Sequence, residues 1–199
     1  MITTLTVNPS IDQTISVERL QIGSSVLATA TTVEPAGKGV NVSRALALNG
    51  LHTTAIFPLG DVDRGGFGSL AETMNVRPVR VAGELRTNVT IVEEDGCITR
   101  VKEVGPRISS EDVECLLATT VDAARSSNWV VASGSLPPGT SLSIYRNLAT
   151  RLEGTGARLA IDTSGDVLDA TVGSPMALLK PNRKELAELV GAPIETLGD

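Results

Sequence analysis

Six consecutive residues, Ala36-Gly37-Lys38-Gly39-Val40-Asn41, carry the densest potential for chemistry in the chain. Small residues flank one lysine, and apolar helical spacing follows at once in Val42, Ala45, Leu46 and Leu48. Glycine admits positive φ and lets another group come close to main-chain N–H groups. Asn41 has the side chain of an N-cap, so a helix over 42–49 would aim its positive end back at the loop. Free N–H groups, a lysine and a helix N-terminus together make an anion site. A tight turn with a surface lysine is the other reading of these residues. The loop is not a Walker A loop, because Gly39 rather than Ser or Thr follows Lys38, and it is not G-x-G-x-x-G.

Other polar residues fall where a strand pattern ends. Asp12 closes the turn cluster Asn8-Pro9-Ser10-Ile11-Asp12. It reads either as an Asx-turn residue or as an acceptor for substrate hydroxyls. Gly60-Asp61, Gly134-Ser135, Asp162 and Lys180-Pro181-Asn182 end later strand patterns in the same way. The two cysteines, Cys97 and Cys115, lack metal-ligand spacing and read as small apolar filler. The single histidine, His52, reads as a turn residue.

The elements that must position these groups follow from periodicity. Strands are expected over 2–7, 53–59, 129–132, 157–161 and 176–179, alternating with helices over 42–49, 67–74, 110–125, 141–153 and 183–190. Ser109 caps the third of these helices, and Gly50 and Gly191 stop two others. A β-loop-α rhythm implies a parallel sheet with helices on both faces, and such sheets collect ligands at the carboxyl ends of their strands. Two stretches break the rhythm. Residues 14–33 are rich in Thr, Val and Ser, alternate at Ile15 and Val17 and read as short strands with a turn at Gly23-Ser24, and 86–102 form a hairpin about Asp95-Gly96. They are expected to make a separate small sheet.

Composition sets the class. With 199 residues the chain is long enough for one domain with a real core, and aromatics at 2% leave that core to Val, Leu, Ile and Ala. Lys+Arg 17 against Asp+Glu 23 gives −6, so no nucleic-acid partner is expected and any basic site must be local. No apolar run reaches about 18 residues and no signal-peptide pattern opens the chain, so no membrane partner and a cytoplasmic location are expected.

Taken together, six segments resemble the ribokinase-like sugar kinases, in particular the phosphofructokinase-B branch. They are 8–12, 37–42, Arg86-Thr87-Asn88, 133–139, Asp162-Thr163-Ser164-Gly165 and 180–185. They stand in the family's order and span nearly the whole chain. Within the branch the resemblance is nearest to the bacterial 1-phosphofructokinases, with tagatose-6-phosphate and minor 6-phosphofructokinases close behind. It implies a ribokinase-like α/β fold with a β lid from 14–33 and 86–102, through which two subunits would pair as a homodimer. It also implies an ATP- and Mg²⁺-dependent phosphorylation of a sugar phosphate.

The resemblance assigns roles at the matched positions. Asp12 and Asn41 would bind sugar hydroxyls, and the backbone of Gly37 and Gly39 would line the sugar site. Lys38 and Arg86 would attract the substrate's phosphate, with Asn88 in the same matched segment. Gly134 and Ser135 would border the pocket. Lys180 would reach the ATP phosphates, and Asn182 and Glu185 would influence Mg²⁺. The last pair also reads as a capping box before an apolar helix.

Departures from the family pattern bear on loop geometry at Ala36 and on substrate choice at Thr90, Lys102 and Val104. Ala36 replaces a glycine, Thr90 replaces a lysine of some relatives, and Lys102 and Val104 replace an Asn and a Pro. The family also continues beyond the length of this chain, into a Gly-Ala-Gly-Asp motif whose aspartate is the general base. Gly198-Asp199 lacks the preceding Gly-Ala and is no substitute. The resemblance therefore places no catalytic base in these residues, leaves the last strand, 176–179, an uncovered edge, and allows a non-catalytic phosphosugar-binding remnant or a functionless fragment as alternatives.

Overall fold

The computed structural model describes residues 1–196; Gly198-Asp199 lie outside the described residues. In chain order the elements are β1 (Ile2–Leu5), β2 (Ser10–Val17), β3 (Ala28–Ala36), α1 (Lys38–Leu48), β4 (Thr53–Leu59), a 3₁₀ turn (Phe67–Glu72), β5 (Asn75–Arg80), β6 (Arg86–Glu93) and β7 (Ile98–Lys102). There follow α2 (Ser110–Ala124), β8 (Trp129–Ser133), α3 (Ile144–Leu152), β9 (Arg158–Asp162), α4 (Asp166–Thr171), β10 (Leu178–Leu179) and α5 (Arg183–Val190).

β1 is central in a parallel sheet of order β10-β9-β8-β1-β4-β5. Alternation along its strands loads both faces, as a sheet covered on both sides requires. One face presents Leu5, Ile56, Val130, Ala132, Leu159 and Ile161 to Leu116 and Leu117 of α2 and to Tyr145 and Leu148 of α3. The opposite face presents Ala55, Phe57 and Leu59 to Val40 of α1 and to Phe67 and Leu70 of the 3₁₀ turn. The rings of Phe57 and Phe67 lie 5.1 Å apart.

A buried hydroxyl chain fastens α1 to the sheet. Ser43 Oγ lies 2.8 Å from Thr4 Oγ1 and 2.7 Å from Thr53 Oγ1. Each hydroxyl thus has a partner, without which its burial would cost about 1–3 kcal/mol.

A second sheet of order β3-β2-β6-β7 stands apart, with β2 and β6 parallel and the outer pairs antiparallel. Register sorts its residues by face. Asp12 lies opposite Asn88 and Ser10 opposite Arg86, so these four share one polar face. Ile15 lies opposite Ile91, Gln13 opposite both Val33 and Val89, and Val89 opposite Val101, so the other face is largely apolar.

Several boundaries differ from those expected. The helix expected over 42–49 begins at Lys38, capped by Gly37 rather than Asn41. The helix expected over 67–74 is a 3₁₀ turn, because glycines weaken it and Asp63 fixes its start by accepting from Phe67 N at 2.7 Å and Gly68 N at 2.8 Å. An unexpected edge strand, β5, follows it and tolerates Pro78 because only β4 pairs with it. The helix expected over 141–153 spans Ile144–Leu152, α4 is an unexpected short helix, and the last strand shrinks to Leu178–Leu179. Leu178 on that edge is half exposed. Both cysteines are exposed, so neither is core filler.

Candidate active site

The central strands deliver their polar ends to one edge, and α1 docks there. Gly39 packs on the end of β1 so closely that an added Cβ would lie 2.5 Å from Thr6 Oγ1 and 3.0 Å from the Leu5 carbonyl oxygen. Gly37 adopts φ 137, and a Cβ there would lie 2.7 Å from Thr6 Cγ2. Thr6 Oγ1 accepts from Val40 N at 3.0 Å, and Asn41 N donates to Gly37 O at 2.8 Å. The two glycines are needed first for this helix-on-strand contact. Asn41 does not face the loop as a cap: its Oδ1 accepts from Arg44 Nη1 at 3.2 Å on the exposed side of the helix.

Lys38 turns toward β9. Its Nζ donates to Asp162 Oδ1 at 2.9 Å, and Asp162 Oδ2 lies 3.5 Å from Lys180 Nζ. Gly134, at φ 104, sits beside Lys38 Cβ and donates its N–H to the Asp162 carbonyl at 2.9 Å. The Gly134 carbonyl accepts from Thr163 Oγ1 at 3.0 Å and from the buried Tyr145 hydroxyl at 3.2 Å. Burial, then the charge of Asp162, raises the Tyr145 hydroxyl well above its ordinary pKa, so it remains a donor.

The polar face of the second sheet supplies a further cluster. Asp12 Oδ1 accepts from Ser10 Oγ at 2.8 Å and from Asn88 Nδ2 at 2.9 Å. Both neighbours hold one oxygen of the carboxylate, which orients the other as an acceptor. Arg86 donates to the carbonyls of Asn8 at 3.1 Å, Pro9 at 3.3 Å and Glu103 at 3.3 Å. Burial lowers its pKa from the ordinary value, with Asp12 acting in the opposite sense. Three of its five N–H donors are thereby used, and two are left for an anion. A cleft of about 460 Å³ opens beside it, lined in part by Arg64, Thr87, Glu103 and Gly105. A larger cleft of about 730 Å³ is lined in part by Glu34, Arg44, Leu48 and Glu72.

Asn8 bridges the clusters. Its Nδ2 donates to Ser135 Oγ at 3.2 Å and to the Val104 carbonyl at 3.1 Å. Asn182 and Glu185 instead engage each other: Asn182 Oδ1 accepts from Glu185 N at 3.0 Å, and Glu185 Oε2 accepts from Asn182 N at 2.8 Å. The capping box is therefore formed, and one oxygen of Glu185 is committed to it. The structure thus joins Lys38, Gly134 and Lys180 through Asp162, and Asp12 with Asn88. Asn8 and Asp162 are the residues whose roles the sequence did not assign. Their signal lay in polar side chains at the ends of β1 and β9. Among the described residues no three His, Cys, Asp or Glu side chains gather as a metal site, and no helix is long and apolar enough to cross a membrane.

The chain is similar to known proteins over nearly its whole length. The pfkB family carbohydrate kinase profile matches residues 5–199. The 1-phosphofructokinase of Vibrio cholerae is 33% identical over 200 residues, covering 100% of this chain and 63% of that protein. The crystal structure of phosphofructokinase-2 from Escherichia coli in complex with fructose-6-phosphate superimposes with a TM-score of 0.87 at 31% identity, over 98% of this chain and 66% of that one. Arabidopsis thaliana ribokinase, complexed with ribose and ATP, superimposes with a TM-score of 0.68 at 20% identity and shows the shared fold alone. The chain spans somewhat less than two thirds of the Vibrio protein's length. From the profile match over nearly its whole length, the chain belongs to the pfkB family of carbohydrate kinases.

Proposed function

We propose that these residues form the sugar-phosphate side, and the first part of the nucleotide side, of a site for ATP- and Mg²⁺-dependent phosphorylation of a sugar phosphate. Fructose 1-phosphate is the first candidate, yielding fructose 1,6-bisphosphate; fructose 6-phosphate and tagatose 6-phosphate are the alternatives. The Vibrio relative's name favours the first, and the bound sugar of the Escherichia coli structure keeps the second in play. The observation that carries the reading is the oriented Asp12 carboxylate on the same polar sheet face as Arg86, whose side chain lines a cleft. Asp12 would accept from sugar hydroxyls. Arg86 and Lys38 would meet the phosphate, Lys180 the ATP phosphates, and Gly37, Gly39, Asn41, Asn88, Gly134 and Ser135 would line the sugar. Asn182 and Glu185 would act on Mg²⁺ through the uncommitted oxygen of Glu185; the metal would neutralise phosphate charge when bound.

Arg86→Ala should weaken fructose 1-phosphate binding to this chain by at least about 1.5 kcal/mol, the worth of a lost charge-assisted bond. Isothermal titration calorimetry checks it, and an unchanged affinity would sink the assignment.

The apolar face of the second sheet supports pairing with a second copy. Val33 and Val101 on it are about half exposed, and a small sheet with a partly exposed apolar face gains by covering it. Light scattering at micromolar concentration should give a dimer mass; a strict monomer counts against the lid as an interface.

A second reading, binding without turnover, is favoured by one observation. The sugar side is well represented here, whereas Asn182 and Glu185 on the nucleotide side are engaged with each other. In this reading residues 1–199 bind the sugar phosphate and do not transfer a phosphoryl group to it.

A further inference from the structure

Asp162 stands between two cations that the proposed function gives to different ligands. Lys38 arrives from the first position of α1, Lys180 from the residue after β10, and Asp162 ends β9. Each carboxylate oxygen faces one lysine, Oδ1 at 2.9 Å from Lys38 Nζ and Oδ2 at 3.5 Å from Lys180 Nζ. The carboxylate is carried on fixed backbone. Asp162 pairs with Ser133 of β8, and its carbonyl accepts from Gly134 N at 2.9 Å. Its side chain is 22% exposed, against 47% for Lys38 and 65% for Lys180. The lysines sit on flexible four-carbon stems and can leave; the aspartate cannot follow them.

We infer that Asp162 is a positioning residue, a fixed counter-ion that Lys38 and Lys180 share and for which each incoming phosphate must compete. The inference rests on the reading of both lysines as phosphate contacts. With Asp162 the three side chains carry a net charge of about +1 rather than +2 at neutral pH. An anion that draws one lysine away leaves the carboxylate to the other, which is then held more tightly. The two anion subsites therefore oppose one another through a single side chain, and anions too weak to displace the carboxylate are turned away.

Amine-labelling rates, read residue by residue by mass spectrometry on the intact chain, test the sharing. Asp162→Asn should quicken labelling of both Lys38 and Lys180 about threefold, the scale of a partly exposed ion pair. Asp162→Glu should restore slow labelling. Lys180→Met should slow labelling of Lys38, since the carboxylate then serves one cation. That exposed substitution decides the question alone if Asp162→Asn fails to fold. Inorganic pyrophosphate should bind Asp162→Asn about threefold more tightly than the parent chain. Unchanged or faster Lys38 labelling in Lys180→Met, or pyrophosphate binding that is unchanged or weaker in Asp162→Asn, overturns the inference. No sugar enters these arms. A parent chain that labels as stated yet ignores fructose 1-phosphate contradicts only the proposed function. A chain that binds the sugar and labels otherwise contradicts only the shared counter-ion.

Discussion

Gly39→Ala is expected to destabilise the fold by about 2–4 kcal/mol, more than a typical surface helix substitution. In an isolated helix the same change would be favourable, because alanine is the better helix former. Here the new Cβ would sit 2.5 Å from Thr6 Oγ1, 3.0 Å from Leu5 O and 3.2 Å from Leu5 C. Leu5 belongs to the central strand, held between β4 and β8, and cannot withdraw. Helix α1 must therefore lift. Lifting it stretches the buried bond from Val40 N to Thr6 Oγ1 and strains the hydroxyl chain through Ser43. Overpacking costs about 1–3 kcal/mol, and the bond about 1 more. Thermal unfolding followed by circular dichroism should show a midpoint lowered by roughly 10 °C. A midpoint within about 2 °C of the parent would mean that α1 does not bear on β1 as described.

Asp12→Asn is expected to do the reverse, sparing the fold and removing ligand affinity. Asparagine keeps an oxygen to accept from Ser10 Oγ and Asn88 Nδ2, so the local network survives. Its amide nitrogen then replaces the outer carboxylate oxygen and presents donors where sugar hydroxyls also donate. A charge-assisted bond worth about 1.5–3 kcal/mol is lost, so sugar-phosphate affinity should fall by about ten- to a hundredfold. The unfolding midpoint should move by little. Loss of stability in step with loss of binding would make Asp12 a structural residue of β2 instead.

How much of this was legible in the sequence depends on the range of the interaction. Strands 53–59 and 129–132 and the helix capped by Ser109 were readable, because local alternation, periodicity and capping agree there with the tertiary fold. The start of α1 was not. Asn41 has the right side chain for a cap, but the contact with Thr6, 33 residues away from Gly39 in sequence, fixes the helix start at Gly37. Strand β5 was hidden because Arg77, Pro78 and Arg80 spell no strand by themselves; an existing neighbour, β4, supplies the pairing. The motifs singled out Lys38, Arg86 and Lys180 as candidates. They could not show that Asp162 joins two of these across 124 and 18 residues, or that Arg86 spends three donors on backbone carbonyls. Such pairings depend on which strand ends the sheet order brings side by side.

The most direct test of the central claim, that this chain carries a sugar-phosphate subsite, is calorimetric titration of the 199-residue protein with fructose 1-phosphate, with fructose and inorganic phosphate as separate controls. Saturable binding of one sugar phosphate per chain, tighter than either control and lost in Asp12→Asn, is the predicted result. No heat of binding in a folded protein, or equal binding of fructose 1-phosphate and inorganic phosphate, would contradict it.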